Sequence, residues 1–490
     1  MIACKTPART SRNPFRIRIY AKFFCKSFRI RIYRKHRGVG VTSFLSGFHP
    51  LRPSDSRSIR PSDNISDLFP ANCKRFVPST PILWLFFFGI GLQASAQQTR
   101  PSAQVNANQA LATKLDAAFA PLADAKSPGF AILARKNGHT LFEHGYGARE
   151  LRTFAKIDAR TNFRLASFTK QFTAMSIMLL VRDGKLHYDS KLTDVFPDFP
   201  AYGNAITIRR LLTHTAGLPD YEDLMDSAEK RHGAPIWTES HQIQDAEVLQ
   251  LLKQETAGKF LPGTKWSYSN SGYVVLGLVV AKVSGESFGE FLHSRIFSPL
   301  RMTQTIVYEK GRNEVVHRAL GHTKEGSTWK ETDRSPTSAT LGDGGVYANL
   351  DDLAQWDDAL ARHTLLTEAE MQPALTPVRL ADGSQPRWPG DAEASSDNLH
   401  PGRSVAYGFG WFLDPYKEQP RMYHHGGTMG FRTYIVRFLN DHLTIIVLCN
   451  RTDLDPESLA LQIADSGEVP HAGEAGQSVG VAGGPVSRLE

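Results

Sequence analysis

The sequence predicts an α/β fold, more strictly α+β: an antiparallel β-sheet flanked by helices, plus an all-helical lobe. Two hairpin signals at opposite ends of the folded region carry the prediction, with a helix-rich stretch between them. Near the start, Phe130 to Ala134 and Thr140 to Tyr146 flank Asn137-Gly138, the dipeptide that best suits a tight hairpin turn. Near the end, Phe431 to Leu439 and Leu443 to Cys449 flank Asn440-Asp441-His442. Two hairpins enclosing a helical middle predict one sheet assembled from both termini with a helical lobe between them.

The elements follow in order. After a polar linker, a short helix is expected over Ala110 to Phe119, ahead of the first hairpin. The middle, from Ser167 to about Phe297, reads as helices joined by long loops, including a charged excursion from Tyr221 to Asp245. Met175 to Val181 is apolar nearly all round and is followed by Asp183-Gly184, as a buried helix with a glycine stop would be. Tyr273 to Val283 is a second apolar helix, and a last helix follows Pro456, running to about Asp465. Ala381 to Arg403, rich in Pro, Ser, Asp and Gly, reads as a long surface loop, and Ala472 to Glu490 as a Gly-rich tail.

Composition separates this region from what precedes it. The chain has 490 residues and a formal charge of +8, but residues 1 to 96 hold 17 Lys+Arg against 3 Asp+Glu. The remaining 40 basic and 46 acidic residues leave a mildly acidic body, which gives no support for nucleic-acid binding. Residues 1–73, with FRIRIY at Phe15 to Tyr20 and again at Phe28 to Tyr33, read as a basic non-globular leader. Residues 74–96 combine Lys74-Arg75, the apolar run Ile82 to Leu92 and Ala94-Ser95-Ala96, the three parts of a secretory signal. The expected organisation is therefore leader (1–73), signal peptide or signal anchor (74–96), linker (97–109), catalytic domain (110–466) and flexible tail (467–490). It implies an exported protein, periplasmic or secreted, or tethered to the membrane if the signal stays uncleaved. Of four cysteines only Cys449 would remain after cleavage, in a run that reads as a buried strand.

Ser167-Phe168-Thr169-Lys170 stands at the start of the first apolar helix. Three residues of helix rise about 4.5 Å and bring the hydroxyl and amine onto one face. A buried lysine there could take the serine proton and create an attacking alkoxide. Ser227 to Lys230 and Ser327 to Lys330 share the spacing but lie in charged or Gly-rich stretches that read as solvated surface. Gly476-Gln477-Ser478-Val479-Gly480 lacks the strand and helix that a nucleophile elbow requires.

Ser/Lys chemistry needs a second polar group, and Tyr268-Ser269-Asn270 supplies one in a tight loop ahead of the second apolar helix. Tyr202-Gly203-Asn204 and Tyr347-Ala348-Asn349 match the same pattern in turn contexts. His424-His425-Gly426-Gly427 leads into the C-terminal hairpin, where glycine permits close backbone approach and an N–H can stabilise an oxyanion. His400 and His471 also begin H-x-G matches, but neither borders a strand. His424 could offer a hydrogen bond or, as a cation, a charge for a substrate carboxylate. No metal site is expected, because adjacent histidines diverge in a strand and neither H-E-x-x-H nor paired C-x-x-C occurs.

Together, Ser167-x-x-Lys170, Tyr268-x-Asn270 and His424-x-Gly426, within FRLASFTKQFTA, ITIRRLLTHTAGLPDY, PGTKWSYSNSGYVVLG and HHGGTMGF, resemble the penicillin-binding, class C β-lactamase-related serine hydrolases. The resemblance spans about Leu115 to Asp465 and implies a β-lactamase/DD-peptidase-like fold with the site in the groove between the two lobes. It further implies Ser167 as nucleophile, Lys170 and Tyr268 as the proton-transfer pair, Asn270 as positioner, and the N–H groups of Ser167 and Gly427 as the oxyanion hole. His214 and Gly217 match a loop taken as structural. No cofactor is implied. The expected substrate is a small molecule or peptide: an ester, a D-amino-acid peptide or a β-lactam. Where the β-lactamases carry Lys-Thr-Gly, this chain has His424-His425-Gly426, more similar to peptidase and esterase branches. The rival reading is a non-turnover penicillin-binding sensor or scaffold on the same fold.

Overall fold

Strands from the two ends of the folded region pair directly. In the computed structural model, which describes residues 100–390 and 400–466, helix α1 (Arg100–Phe119) leads into β1 (Phe130–Lys136) and β2 (His139–Tyr146). The middle runs through β3 (Phe163–Arg164), α2 (Lys170–Arg182), α3 (Leu192–Val195), α4 (Ile208–Leu212), α5 (Tyr221–His232), α6 (Asp245–Gln254), α7 (Asn270–Ser284) and α8 (Phe288–Leu292). Short strands β4 (Ile306–Val307), β5 (His322–Glu325), β6 (Thr328–Glu331) and β7 (Val346–Ala348) precede α9 (Leu350–Ala361) and α10 (Glu368–Met371). The chain closes with β8 (Arg421–Thr428), β9 (Phe431–Phe438), β10 (Leu443–Cys449) and α11 (Pro456–Ala464).

The main sheet is antiparallel with order β2-β1-β10-β9-β8. Its keystone is the pairing of β1 with β10, in register from Phe130 opposite Cys449 to Lys136 opposite Leu443. Both strands are covered on both faces, which explains why FAILA and LTIIVLC read as continuous apolar runs. Phe130, Ile132, Val447 and Cys449 face α1 and α11, while Leu133, Ile446 and Leu448 join the core shared with the helical lobe. Asn137 and Gly138 both take positive φ, 51° and 77°, the turn that matches strand twist. Burial pushes the Cys449 thiol up, as befits an apolar core residue.

On the lobe side, α9 is tied to the sheet by buried charges. Asp357 accepts from Arg135 Nη1 at 2.9 Å, Arg437 Nε at 2.9 Å and Thr444 Oγ1 at 2.6 Å. Three sequence expectations need correction. The first helix, expected only over Ala110 to Phe119 behind a linker at 97–109, begins at Arg100, because no Gly or Pro interrupts the stretch from Ser102 to Phe119. The excursion from Tyr221 to Asp245 contains α5, capped by Asp220 and stopped by Gly233 at φ 82°, with acids in its first turn and Lys230, Arg231 and His232 in its last. Caps and charge order suit a helix here although only Tyr221 and Met225 are buried. The stretch from Ala381 to Arg403 is not wholly surface: Trp388 is buried between Trp266 and Phe412, with ring centroids 4.8 and 5.7 Å away. The small sheet β3-β7-β4 was not foreseen, because its strands are only two or three residues long. The leader, the signal segment and the tail lie outside the described residues.

The Asp357 cluster gives a stability prediction. Asp357→Ala leaves the buried Arg135 and the partly buried Arg437 guanidinium groups without their shared carboxylate, which should cost about 3 kcal/mol or more. Urea unfolding of the variant against the parent measures this; a loss under about 1 kcal/mol would show that the cluster does not hold α9 to the sheet.

Candidate active site

Ser167 lies where β3 gives way to α2 through a short 3-10 turn, Ala166–Thr169. Ala166 has φ 50°, a left-handed conformation unfavourable for alanine by about 1–2 kcal/mol. Its neighbour Leu165 is pinned on both sides: its N–H donates to Val346 O at 2.9 Å, and its carbonyl accepts from Thr433 Oγ1 at 2.8 Å. The strained turn lifts Ser167 to a half-buried position and sets Lys170 at the first position of α2, fully buried.

Lys170 Nζ donates to Ser167 Oγ at 2.9 Å, to Asn270 Oδ1 at 2.8 Å and to the Asp343 backbone carbonyl at 3.2 Å. It also lies 4.9 Å from the centre of the Tyr268 ring. The serine, the lysine and the asparagine are thus within direct hydrogen-bonding reach. A neutral amine in this place can accept the Ser167 proton.

Tyr268, Ser269 and Asn270 are held at the start of α7 by two devices. Ser269 caps the helix, accepting from Gly272 N at 3.1 Å, and its own N–H donates to His214 Nδ1 at 3.1 Å. His214 is buried against Tyr268, Tyr273 and Tyr407, with centroids 4.5, 5.1 and 4.6 Å away. Burial, reinforced by Lys170, holds its imidazole well below the usual histidine range. It therefore stays neutral and able to accept. Gly217, at φ 70°, brings its backbone against the Phe260 carbonyl, where a Cβ would collide. His214 positions the Tyr268 loop, a role that its spacing alone did not reveal.

Strand β8 ends the main sheet and supplies the other wall. At Tyr423 its outer edge exchanges hydrogen bonds with Phe412. Because backbone groups alternate along a strand, the N–H groups of His425 and Gly427 point outward as well. Among the described residues neither takes a backbone partner on that edge. Gly426 faces the turn carrying the serine, where a Cβ would run into the Leu165 carbonyl and Thr433 Oγ1. A Cβ on Gly427 would meet only the Arg432 side chain, at 3.8 Å.

His424 is placed close to this constellation, its ring centroid 6.2 Å from that of Tyr268, but buried beneath it. Its Nδ1 lies 2.6 Å from the His425 carbonyl, which can only accept, so Nδ1 carries the proton. Nε2 is then the acceptor for the Tyr407 hydroxyl at 3.2 Å. Burial first, and then the neighbouring Lys170, keep His424 far below the usual histidine range. A cationic His424 offering charge to a carboxylate does not fit this environment. His425 projects to the opposite face, 3.5 Å from Glu457.

The competing motifs fall elsewhere. Ser227 and Lys230 lie on α5 with Lys230 exposed, and Ser327 and Lys330 on the exposed β5–β6 hairpin, where Lys330 pairs with Glu325 at 3.3 Å. Tyr202 donates to Leu252 O within the helical lobe, Tyr347 is buried against Arg318, and His400 packs edge-on to Trp388. Ser478 and His471 are outside the described residues. Asp343, Tyr407 and Trp388 contribute to or surround the site and carry no recognisable motif.

Comparison with known proteins gives the family. The β-lactamase family profile matches residues 115–468. Penicillin-binding protein 4* of Bacillus subtilis is 32% identical over 349 residues, covering 68% of this chain and 71% of that protein. The crystal structure of a penicillin-binding protein from Bacillus halodurans is 25% identical, covers 72% of this chain and 96% of its own, and superimposes with a TM-score of 0.56. D-amino acid amidase from Ochrobactrum anthropi SV3, solved with L-phenylalanine amide, shares the fold at 22% identity and a TM-score of 0.57, covering 75% and 97%. The chain belongs to the β-lactamase family and is a serine hydrolase of the penicillin-binding, β-lactamase-related type.

The two glycines of β8 should respond differently to the same change. Gly426→Ala pushes Leu165 and with it Ser167, and a displacement near 1 Å can lower kcat/KM by about 100-fold. Gly427→Ala keeps its N–H and meets no backbone, so the loss should stay under about fivefold. Steady-state kinetics on an activated ester compare them; equal losses would contradict the packing argument.

Proposed function

We propose that the chain is an exported hydrolase working through an acyl-enzyme, with Ser167 as nucleophile and Lys170 as its base. The carrying observation is the Lys170 amine, buried and bonded at once to Ser167 Oγ and Asn270 Oδ1. In this reading Lys170 takes the Ser167 proton as Oγ bonds to the substrate carbonyl carbon. The N–H groups of Ser167 and Gly427 receive the developing oxyanion. The proton passes through Tyr268 to the leaving group as the carbonyl–heteroatom bond breaks, and water then releases the acyl group by the reverse sequence. Asn270 holds Lys170 in line.

The neutral, buried His424 bears on the substrate. Without a cation at this position, the site favours acyl groups that need no carboxylate anchor there. We therefore rank esters and D-amino-acid amides above β-lactams, in keeping with the amidase among the structural neighbours. Export rests on the segment Lys74 to Ala96, and intact-mass analysis of protein recovered outside the cytoplasm should find a mature N-terminus near Gln97. Residues before Lys74 in that product would argue for a retained anchor or an unprocessed chain.

Ser167→Ala should lower turnover of a p-nitrophenyl ester by at least about 10⁴-fold, while Ser227→Ala and Ser327→Ala stay within about twofold. Retained turnover in Ser167→Ala would refute the assignment. Pre-steady-state product formation separates a turning-over enzyme from a sensor, which stops at about one equivalent.

The pH dependence follows from the sign of the histidine shift. Because the folded His424 is held below its unfolded value, it is already neutral as pH rises through the ordinary histidine range, so no substrate-binding charge is lost there. The kcat/KM profiles of a neutral ester and a carboxylate-bearing ester should have the same shape between about pH 6 and 8. A fall confined to the carboxylate substrate, absent in His424→Asn, would show a charged His424 after all.

A further inference from the structure

Strand β9 carries a cation directly behind Gly427, a residue whose N–H the acylation chemistry uses. Arg432 stands opposite Gly427 of β8 on one side and opposite Cys449 of β10 on the other, so the three share one face of the sheet. That face is turned toward α1 and α11, whereas Gly426 meets the serine-bearing turn on the opposite face. With no side chain at 427, the Arg432 side chain reaches across the strand: a Cβ on Gly427 would lie 3.8 Å from Nη1 and 3.9 Å from Cδ. N and Cβ of one residue are about 2.5 Å apart, so Nη1 stands within about 6.5 Å of the Gly427 nitrogen.

The guanidinium is fastened by one nitrogen only. Nη1 donates to the Thr428 and Phe431 carbonyls, both at 2.8 Å, which anchors the group to the β8–β9 turn. Nε and Nη2 take no partner among the described residues, and Arg432 makes no ion pair there. The acids on that side of the sheet are engaged elsewhere. Glu457 lies 3.3 Å from Arg421 and 3.5 Å from His425, and Asp453 lies 2.6 Å from Arg451. Arg432 is partly buried, and burial lowers it from the usual arginine range, so it has lost hydration without gaining a counter-charge. The Nε and Nη2 edge presents two parallel N–H groups, a fork that takes a carboxylate through both oxygens. Arg451 uses that same edge on Asp453, with Nε at 2.6 Å and Nη2 at 2.7 Å.

We propose that Arg432 determines specificity by holding a carboxylate on the acyl portion of the substrate, so that half-esters or half-amides of dicarboxylic acids are preferred. The proposal rests on the reading that Ser167 attacks a carbonyl whose oxygen lies on the Gly427 N–H. That oxygen sits about 2.9 Å from the Gly427 nitrogen, which puts Nη1 within about 10 Å of it. An extended six-carbon diacid separates its two carboxyl carbons by about 6 Å, and the hydrogen bond to the guanidinium spans about 3 Å more. The glycine leaves the path across the strand open. Burial denies His424 a cationic role, whereas the charge on Arg432 is permanent at neutral pH and reaches the edge from the other face.

The test is a ratio of kcat/KM for two esters that differ only in charge: mono-p-nitrophenyl adipate and p-nitrophenyl methyl adipate, with spontaneous hydrolysis subtracted. The parent should favour the acid by about tenfold or more, the worth of one charge-assisted contact. Arg432→Gln removes the charge and should bring the ratio to within about twofold of one. Arg432→Lys keeps the charge without the fork; its ratio should fall between the two, and it serves if Arg432→Gln does not fold. Arg432→Glu should turn the preference toward the neutral ester. Taking the ratio within each variant cancels any general damage from loosening the β8–β9 turn. A merely structural Arg432 would lower both rates together and leave the ratio in place. A parent ratio near one, or a ratio unchanged in the folded variants, overturns the proposal. If Ser167→Ala still turns over the neutral ester, the acyl-enzyme reading beneath the proposal fails instead.

Discussion

Everything in the site depends on burying one amine. Lys170 has no exposed surface, and its Nζ is tied to side chains or backbone from three separate parts of the chain: Ser167, Asn270 and Asp343. The constraint fixes the rest. The serine must come from the turn ahead of α2, so Ala166 takes a left-handed conformation; the asparagine must start α7, so Ser269 caps it and His214 grips the loop. The carbonyl must come from a turn that approaches closely, hence Gly342 against Tyr273.

The sheet makes those demands compatible. Pairing of β1 with β10 joins sequence-distant ends of the folded region, and the order β2-β1-β10-β9-β8 leaves β8 at the margin beside the helical lobe. Gly426 permits β8 to reach the Leu165 carbonyl, and Thr433 on β9 bonds that same carbonyl. One backbone oxygen thus registers the sheet against the turn that carries the serine. The outward N–H of Gly427 is a consequence of strand alternation from Tyr423, and no dedicated side chain is needed to aim it.

Much of this was readable from the sequence because it is written locally. The hairpin turn at Asn137-Gly138, the apolar helices behind Ser167 and Tyr268, and the stop at Asp183-Gly184 each follow from a few neighbouring residues. The motif set at Ser167, Lys170, Tyr268 and Asn270 was legible for the same reason, and the structure brings these residues together. What escaped depends on partners far away in sequence. Trp388 gave no sign of burial because Trp266 and Phe412 bury it, and His424 looked titratable because nothing nearby announced Tyr407 or the Lys170 amine. Asp343 sits in a glycine-rich turn that reads as ordinary loop, and only the fold sets it behind the lysine. Helix α5 was missed for a different reason: its caps were visible, but its surface is too charged for periodicity to declare it.

In the proposed chemistry Ser167 Oγ is the atom that forms the covalent bond. Incubation with a p-nitrophenyl phosphonate, followed by proteolysis and mass spectrometry, reads this directly. The account predicts one adduct per chain, on the peptide containing Ser167, formed at least about 10³-fold more slowly when Lys170 is replaced by alanine. An adduct on any other serine, or labelling of Ser167 at an undiminished rate without Lys170, would contradict it.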